Sequence, residues 1–339
     1  MNDCSDRSVL CPTLEDRTPA LALKPVRIAL RSRFWIAVLR LVLRPWFAWI
    51  LRGPPTRIAR LQLLTAGRRW RDAAGPNLAY RVLGDAPHAV PGHVVGDPSH
   101  RERPVLLYLH GGAFVLPAAA DLQGRLLVRL CRALEAVGFM PDYRLAPANR
   151  FPAALDDCER AYRALLALGF DARRIVLIGE SAGGNLVLGV LQRIRAARLP
   201  MPAGAIPISA GTEFARLHGL PARTACAWRD AVLSIASLHH LTTLYAGERD
   251  LTDPELSPLY ADLRGFPPLY LIASADEVLR DDSVGLAYRA RECGVPVKLE
   301  LWPRLPHAFP LFESLFPEAR QAREDIVAFA RACLAGRAS

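Results

Sequence analysis

From residue 78 onward, short apolar runs of strand length alternate with helical stretches. The five clearest apolar runs span 105–110, 174–179, 203–209, 268–274 and 297–302. The composition predicts helices over 121–137, 153–168, 182–198, 281–293 and 317–334. Near-continuous apolar strands separated by helices are typical of a mostly parallel sheet that is covered on both faces. The sequence therefore predicts an α/β fold with a central sheet flanked by helices.

The composition predicts a large buried core and a reducing compartment. The chain has 339 residues, of which 51% are hydrophobic and 22% charged, and a chain of this kind buries a sizeable core. Its seven cysteines are scattered and form no CxxC pair, which argues against a disulfide framework and against a zinc site. The first eighteen residues lack a basic region followed by an apolar run, so we expect no secretory signal.

The net charge of +10 is concentrated in one region. Residues 24–71 contain twelve basic and no acidic side chains, so the rest of the chain sums to −2. Because no nucleic-acid-binding motif accompanies this charge, we expect no nucleic-acid partner. Three interpretations stay open: phosphate binding, peripheral contact with an anionic membrane surface, or a solvated arginine face on a helical cap.

Residues 26–51 are helical in composition but are interrupted by Pro45. A transmembrane span needs about 20 apolar residues with few charges, and Arg40 and Arg44 lie in the middle of this stretch. We therefore predict two amphipathic helices that pack on the body of the protein or lie in a membrane interface.

The pattern divides the chain into two parts. Residues 1–75 are predicted to form an N-terminal helical cap segment, and residues 76–339 the main α/β domain. The stretch at about 212–262 does not follow the strand–helix alternation. It is predicted to be a cap insertion over the edge of the sheet.

The stretch LIGESAGGNL (177–186) places Gly179 and Gly183 symmetrically about Ser181. It joins a predicted strand to a predicted helix. A serine on so sharp a turn takes a strained backbone conformation, and side chains two residues away on either side would collide with the neighbouring strand and helix. This is the pattern of a nucleophile elbow. Ser181 is therefore the predicted catalytic nucleophile.

A serine hydroxyl needs a base that accepts its proton. Four histidines follow the elbow: His218, His239, His240 and His307. The first three lie in the irregular insertion, whereas His307 follows the last predicted strand, where a loop can return it to the edge of the sheet. We therefore predict that His307 is the base.

The base needs an acidic residue that orients it. Asp276 comes directly after the strand 268–274, and Asp281 and Asp282 follow about one helical turn later. The end of a strand is fixed in position, whereas aspartates at a helix start are better explained by N-terminal capping. Asp276 is therefore the predicted acid.

The developing oxyanion needs hydrogen-bond donors. Gly111 and Gly112 follow the strand 105–110, and their backbone N–H groups can approach a substrate oxygen closely. The N–H of Ala182, directly after the nucleophile, would complete the oxyanion hole. His110 is expected to be structural.

Five motifs in order carry a family resemblance: HGGAF (110–114), DYRLAPANRFPAALDD (142–157), GESAGGN (179–185), DEVLRDD (276–282) and PHAF (306–309). They resemble the bacterial hormone-sensitive-lipase-like esterases of the α/β-hydrolase superfamily, over roughly residues 75–335. The resemblance implies a triad of Ser181, Asp276 and His307, together with helical caps. Ala113 replaces the third glycine of the family's HGGG loop.

The residues and the resemblance together predict a serine carboxylic-ester hydrolase that acts on small to medium acyl esters through an acyl-enzyme. Neither a metal nor an organic cofactor is expected. A membrane-surface lipase and an amide deacylase use the same triad and remain alternatives, as does a non-catalytic ligand-binding protein on the same scaffold. We expect a cytoplasmic protein, peripheral to the inner membrane if the basic cap binds lipid. The sequence leaves a homodimer open.

Overall fold

The computed structural model describes residues 23–66, 78–217 and 220–338. An eight-stranded sheet forms the centre of this part of the chain, with the spatial order β1-β2-β4-β3-β5-β6-β7-β8. β1 and β2 are antiparallel to their neighbours, and the other strands run parallel. The strands are β1 (Leu78–Leu83), β2 (Val90–Val95), β3 (Val105–Leu109), β4 (Val137–Pro141), β5 (Ile175–Glu180), β6 (Gly204–Ile208), β7 (Leu269–Ser274) and β8 (Val297–Trp302).

Helices cover both faces of the sheet. Within the described residues they are α1 (Leu30–Leu51), α2 (Pro55–Ala66), α3 (Arg125–Leu134), α4 (Ala153–Ala167), α5 (Ala182–Ala196), α6 (Pro221–Ala225), α7 (Ile235–Ala246), α8 (Arg280–Glu292) and α9 (Pro317–Leu334). The predicted α/β fold is confirmed, and the five apolar runs are β3, β5, β6, β7 and β8. Pro141 is the last residue of β4, where a missing backbone N–H disturbs the sheet least.

The central strands are buried on both faces because they carry apolar side chains at successive positions. Leu107 and Leu177 belong to the core on the face covered by α4, α5 and α8. Their neighbours in sequence, such as Leu106 and Val176, belong to the core on the face covered by α3 and α9. Successive strand residues point to opposite faces, so each run supplies both cores.

α1 is one continuous helix, and the prediction that Pro45 separates two helices in 26–51 is wrong. Proline removes one intrahelical hydrogen bond, which normally kinks or ends a helix. Here Pro45 lies on the exposed side of α1, where water can solvate the carbonyl that loses its partner. The opposite side of α1 packs on the protein and stabilises the helix through the proline.

The insertion between β6 and β7 contains α6 and α7 and is tied to the start of α8. The Asp281 carboxylate accepts a hydrogen bond from Ala222 N at 2.6 Å. The Asp282 carboxylate accepts from Thr212 N at 2.7 Å and pairs with the buried Arg223 at 2.8 Å. Both aspartates lie in the first turn of α8, but they bind the insertion instead of capping their own helix.

The start of α5 is pressed against the end of β3. A Cβ atom added to Gly183 would lie 1.8 Å from the carbonyl oxygen of Leu109, and one added to Gly179 would lie 2.5 Å from the carbonyl oxygen of Gly183. Backbone atoms occupy both places, so no side-chain movement can make room. The two glycines are therefore required for the contact between strand and helix.

Gly183→Ala should destabilise the protein by more than about 4 kcal/mol, since a methyl group forced into backbone separates α5 from the sheet. Gly211→Ala is the matched control, because a Cβ atom there would have no neighbour closer than 3.8 Å. Urea unfolding followed by circular dichroism measures both changes. A Gly183→Ala variant as stable as the control would contradict the close approach.

Candidate active site

Ser181 lies at the turn between β5 and α5 with φ 56° and ψ −119°. Residues other than glycine seldom adopt a positive φ, and such backbone strain persists only where the surrounding structure imposes it. Here the Ser181 N–H donates to the carbonyl of Ile208 at 2.8 Å, which fixes the turn to the end of β6. Ser181 lines an apolar pocket. The elbow thus presents a hydroxyl above the carboxyl edge of the sheet.

His307 lies on the loop after β8 and is buried. Its Nδ1 lies 2.7 Å from Oε2 of Glu277. The next residue, Ala308, donates its N–H to Oγ of Ser209 at the end of β6. Because a carboxylate faces Nδ1, the ring carries its proton there, and Nε2 can act as an acceptor. His307 Nε2 is buried and makes no hydrogen bond within the described residues.

The prediction that Asp276 orients the imidazole is wrong, because Glu277 occupies that place. The Asp276 side chain is 24% exposed and lies 3.8 Å from Arg229, whereas the Glu277 side chain is fully buried. The turn after β7 explains the difference. Ser274 N donates to Glu277 Oε1 at 2.9 Å, and Asp276 N donates to Ser274 Oγ at 3.1 Å. This pairing turns Glu277 towards the sheet and leaves Asp276 outside.

The surroundings of His307 favour its charged form. Burial lowers the pKa of His307, but the hydrogen bond and charge of Glu277, with the charges of Asp230 and Glu180, outweigh burial and hold the pKa above its usual 6.5. A base with a raised pKa holds a transferred proton more firmly. The imidazole is thus prepared to accept a proton and to be stabilised once it has done so.

Asp230 is a further buried carboxylate, which the sequence pattern did not predict. It belongs to the cap insertion and accepts a hydrogen bond from Val278 N at 2.9 Å, next to Glu277. It also accepts from Val232 N and Leu233 N. Burial raises the pKa of Asp230, and the charge of His307 offsets only part of this rise. Its position inside an irregular insertion gave no sequence signal of its place beside the histidine.

The structure changes the predicted oxyanion hole at one residue. The Gly111 N–H donates to Oε1 of the buried Glu180 and is therefore engaged. The backbone N–H groups of Gly112, Ala113 and Ala182 donate to no other group in the described part of the chain. Ala113 and Ala182 also line the pocket beside Ser181. These three N–H groups, two of them predicted, are the available donors.

Glu180 and His110 brace the loop that carries these donors. Burial raises the pKa of Glu180 to about 7, against the opposing effect of hydrogen bonds from Gly111 and Gln123. His110 stacks on Tyr143 with ring centroids 4.1 Å apart, and the Tyr143 hydroxyl donates to the His110 carbonyl at 2.7 Å. Burial lowers the pKa of His110 to about 4. The expected structural role of His110 agrees with these contacts.

The pocket beside Ser181 is mostly apolar. Its walls come from α1, the glycine loop and the cap insertion. The apolar side chains that line it are Phe47, Leu51, Phe114, Phe214, Leu217, Leu233, Leu238, Leu241 and Leu279. The two charged residues in the lining, Glu213 and Arg223, are each paired with other protein groups. The pocket therefore suits an apolar group held next to the hydroxyl.

Comparisons with known proteins agree with this geometry. A family model described as alpha/beta hydrolase fold matches residues 106–311. An acetyl-hydrolase of Streptomyces hygroscopicus is 36% identical over 234 residues, which cover 69% of this chain and 77% of the relative. Esterase LipU of Mycobacterium tuberculosis is 34% identical over 240 residues, covering 69% of this chain and 80% of the relative.

Solved structures give the same result over most of the chain. The crystal structure of EstE5, soaked with p-nitrophenyl butyrate, has a TM-score of 0.78 and 30% identity, covering 91% of this chain and 99% of that one. An esterase from the bacterial hormone-sensitive lipase family has a TM-score of 0.77 and 31% identity, covering 91% of this chain and 100% of that one. With an elbow serine, a buried histidine–glutamate pair and these similarities, the chain belongs to the α/β-hydrolase fold family, among the bacterial hormone-sensitive-lipase-type esterases.

Proposed function

We propose that the protein hydrolyses carboxylic esters through Ser181, His307 and Glu277. The observation that carries this proposal is the strained serine at the same sheet edge as a buried imidazole whose Nδ1 lies 2.7 Å from a carboxylate. β5, β7 and β8 are parallel, so the segments that follow them meet at one edge. Arrangements of this kind activate a hydroxyl for acyl transfer.

In the first half of the proposed reaction, Ser181 Oγ attacks the ester carbonyl carbon and His307 Nε2 accepts the hydroxyl proton. Glu277 holds Nδ1–H and stabilises the imidazolium that forms. The N–H groups of Gly112, Ala113 and Ala182 stabilise the negative charge on the carbonyl oxygen. The C–O bond to the alcohol then breaks, and the imidazolium returns its proton to the leaving alkoxide.

In the second half, water replaces the alcohol. His307 accepts a proton from water while the water oxygen attacks the acyl carbon of the ester bound to Ser181. Collapse of the second tetrahedral intermediate releases the carboxylic acid, and the proton returns to Ser181 Oγ. The start of α5 points its free backbone N–H groups towards this region, which favours the developing negative charge.

The apolar pocket supports small to medium acyl esters as substrates. Nine large apolar side chains line it, most of them from α1, the glycine loop and the cap insertion, so it suits an apolar acyl group held beside Ser181. Among the relatives, one from Pseudomonas putida is an ethyl acetate hydrolase, 33% identical over 222 residues. The substrate in that relative's name favours short acyl groups over long ones.

We further propose a cytoplasmic location and a division into a cap segment, residues 1–75, and a catalytic domain, residues 76–339, with a cap insertion at about 212–262. The five cysteines in the described residues are free thiols, which suits a reducing compartment. Part of the cap segment and His218 lie outside the described residues.

Ser181→Ala should lower kcat for a soluble ester by roughly 10⁴-fold or more, because the nucleophile is lost. The fold should persist, since the smaller side chain keeps the same backbone. Release of p-nitrophenol from the butanoate ester measures activity, and circular dichroism checks the fold. Substantial hydrolysis by a folded Ser181→Ala protein would refute the assignment.

Glu277→Gln should lower kcat by about 10³- to 10⁴-fold, because the amide no longer holds the correct imidazole tautomer. Asp276→Asn is the matched control and should change kcat by less than about threefold, as its carboxylate lies 3.8 Å from Arg229 and forms no hydrogen bond with His307 within the described residues. Equal losses in the two variants would argue against Glu277 as the orienting acid.

The same pair of variants should differ in pH dependence. The neutral imidazole is the active base, so kcat/KM rises as pH rises through the pKa of His307. Glu277 raises that pKa, and its replacement by glutamine should therefore move the acidic limb to lower pH. The limb of Asp276→Asn should stay with the wild type. A limb that does not move in Glu277→Gln would contradict the charge effect.

A chain-length series tests the pocket. Among the p-nitrophenyl esters of acetic, butanoic, octanoic and hexadecanoic acids, kcat/KM should be highest for acetate or butanoate and lowest for hexadecanoate. Leu238→Ala should shift the preference towards octanoate, since Leu238 closes part of the pocket. A preference of the wild type for hexadecanoate would contradict the proposed substrate class.

A further inference from the structure

Exposed apolar side chains are concentrated on α1 and α2. Of the twelve large apolar side chains that are exposed in the described residues, eight lie on these two helices. We call them the outer cap surface: Leu30, Phe34, Leu41, Val42, Trp46 and Trp49 of α1, with Leu63 and Leu64 of α2. Their exposed fractions run from 44% to 80%. Large contiguous apolar surfaces on soluble proteins mark interaction sites.

The six members on α1 share one side of the helix. At about 100° per residue, they fall within an arc of roughly 160°. Ser32, Leu43, Phe47 and Ile50 fall on the opposite side and are buried or half-buried. α1 is therefore apolar on both its inner and its outer side, and packing within the protein accounts for the inner side alone.

α1 lies along the protein and is held at both its start and its middle. Near its start, Ser32 Oγ donates to Glu318 of α9 at 2.6 Å. In its middle, Arg40 donates to the carbonyl of Arg229, and Arg44 to those of Ala227 and Asp230. By length and composition alone, α1 is apolar enough to cross a membrane. These contacts instead hold its inner side on the protein, so that the helix lies along the protein surface and its outer side stays exposed.

The charged side chains of α1 and α2 are all arginines. No acidic residue occurs between residues 24 and 71. Arg33, Arg52 and Arg60 are exposed and form no ion pair within the described residues. Arg57 lies over the ring of Trp49, 4.1 Å from its centroid, so that a guanidinium lies directly against the apolar surface.

We propose that the outer cap surface docks on an anionic lipid bilayer. Tryptophan, phenylalanine and leucine on one side of a helix enter the boundary between headgroups and acyl chains, while neighbouring arginines bind the headgroup phosphates. A second copy of this chain is a poorer partner, because two such surfaces would bring arginines of the same sign together. Charge complementarity thus selects the anionic membrane.

Docking would bring the active-site pocket close to the membrane. Phe47 and Leu51, on the inner side of α1, line the pocket next to Ser181. The helix that contacts lipid on one side therefore forms a pocket wall on the other. Esters that partition into the bilayer would be concentrated beside the pocket, a consequence that rests on the proposed function, whereas docking itself does not.

Sedimentation with vesicles tests the docking. The protein should sediment with vesicles of phosphatidylglycerol and phosphatidylcholine at 0.05 M salt, and much less with phosphatidylcholine alone. Binding should fall at 0.5 M salt, because the Debye length shortens well below 10 Å. Activity on a soluble acetate ester without vesicles, measured in parallel, separates failure of docking from failure of the proposed function.

Variants locate the surface. Phe34→Ser with Leu41→Ser should reduce the bound-to-free ratio at least fivefold, and Arg33→Gln with Arg60→Gln by a similar factor. Val82→Ser is the control, because Val82 is 63% exposed but belongs to β1 and not to α1 or α2, and it should bind as the wild type does. All variants should keep their activity on the soluble ester.

Three results would overturn the proposal. The first is no sedimentation with anionic vesicles at low salt, and the second is equal binding to neutral vesicles. The third is a lipid-free dimer of the wild type that Phe34→Ser with Leu41→Ser converts to a monomer in analytical ultracentrifugation, because the surface would then be a subunit interface.

Discussion

The close approach of α5 to the end of β3 is the constraint on which the active site depends. Gly183 faces the Leu109 carbonyl where any Cβ atom would collide with backbone, and this contact forces the chain into the sharp turn that holds Ser181 at positive φ. The strain at the serine is stabilised by the surrounding sheet and not by the turn itself. The same contact brings the loop after β3, with its N–H donors, next to the serine.

Buried carboxylates connect the cap insertion to the sheet edge. Asp281 and Asp282 bind the insertion from the start of α8, and Asp230 reaches back from the insertion to Val278, beside Glu277. A buried carboxylate needs several hydrogen bonds to offset its desolvation, so each of them fixes the backbone that supplies its donors. The insertion that shapes the pocket and the turn that orients His307 are thereby held by one set of interactions.

α1 shows what the sequence pattern of a helix predicts and what it does not. Its arginines were expected to face solvent or a membrane, yet Arg40 and Arg44 bind backbone carbonyls of the cap insertion. The apolar side chains around them divide between a pocket wall and an exposed surface. Periodicity identifies the helix, but only the packed neighbours decide which of two apolar sides is buried.

The sequence by itself determined the α/β architecture, the elbow serine and the histidine after the last strand. Strand length, helical spacing and paired glycines are local properties, and they predict local structure directly. The tertiary structure placed Glu277, and not the predicted Asp276, beside His307. It also engaged the Gly111 N–H with Glu180 and left the Ala113 N–H as an available donor. These choices depend on hydrogen bonds between distant segments, such as Gly111 with Glu180 and Glu277 with His307. Adjacent residues of equal chemistry cannot be told apart until the fold sets the direction in which each side chain points.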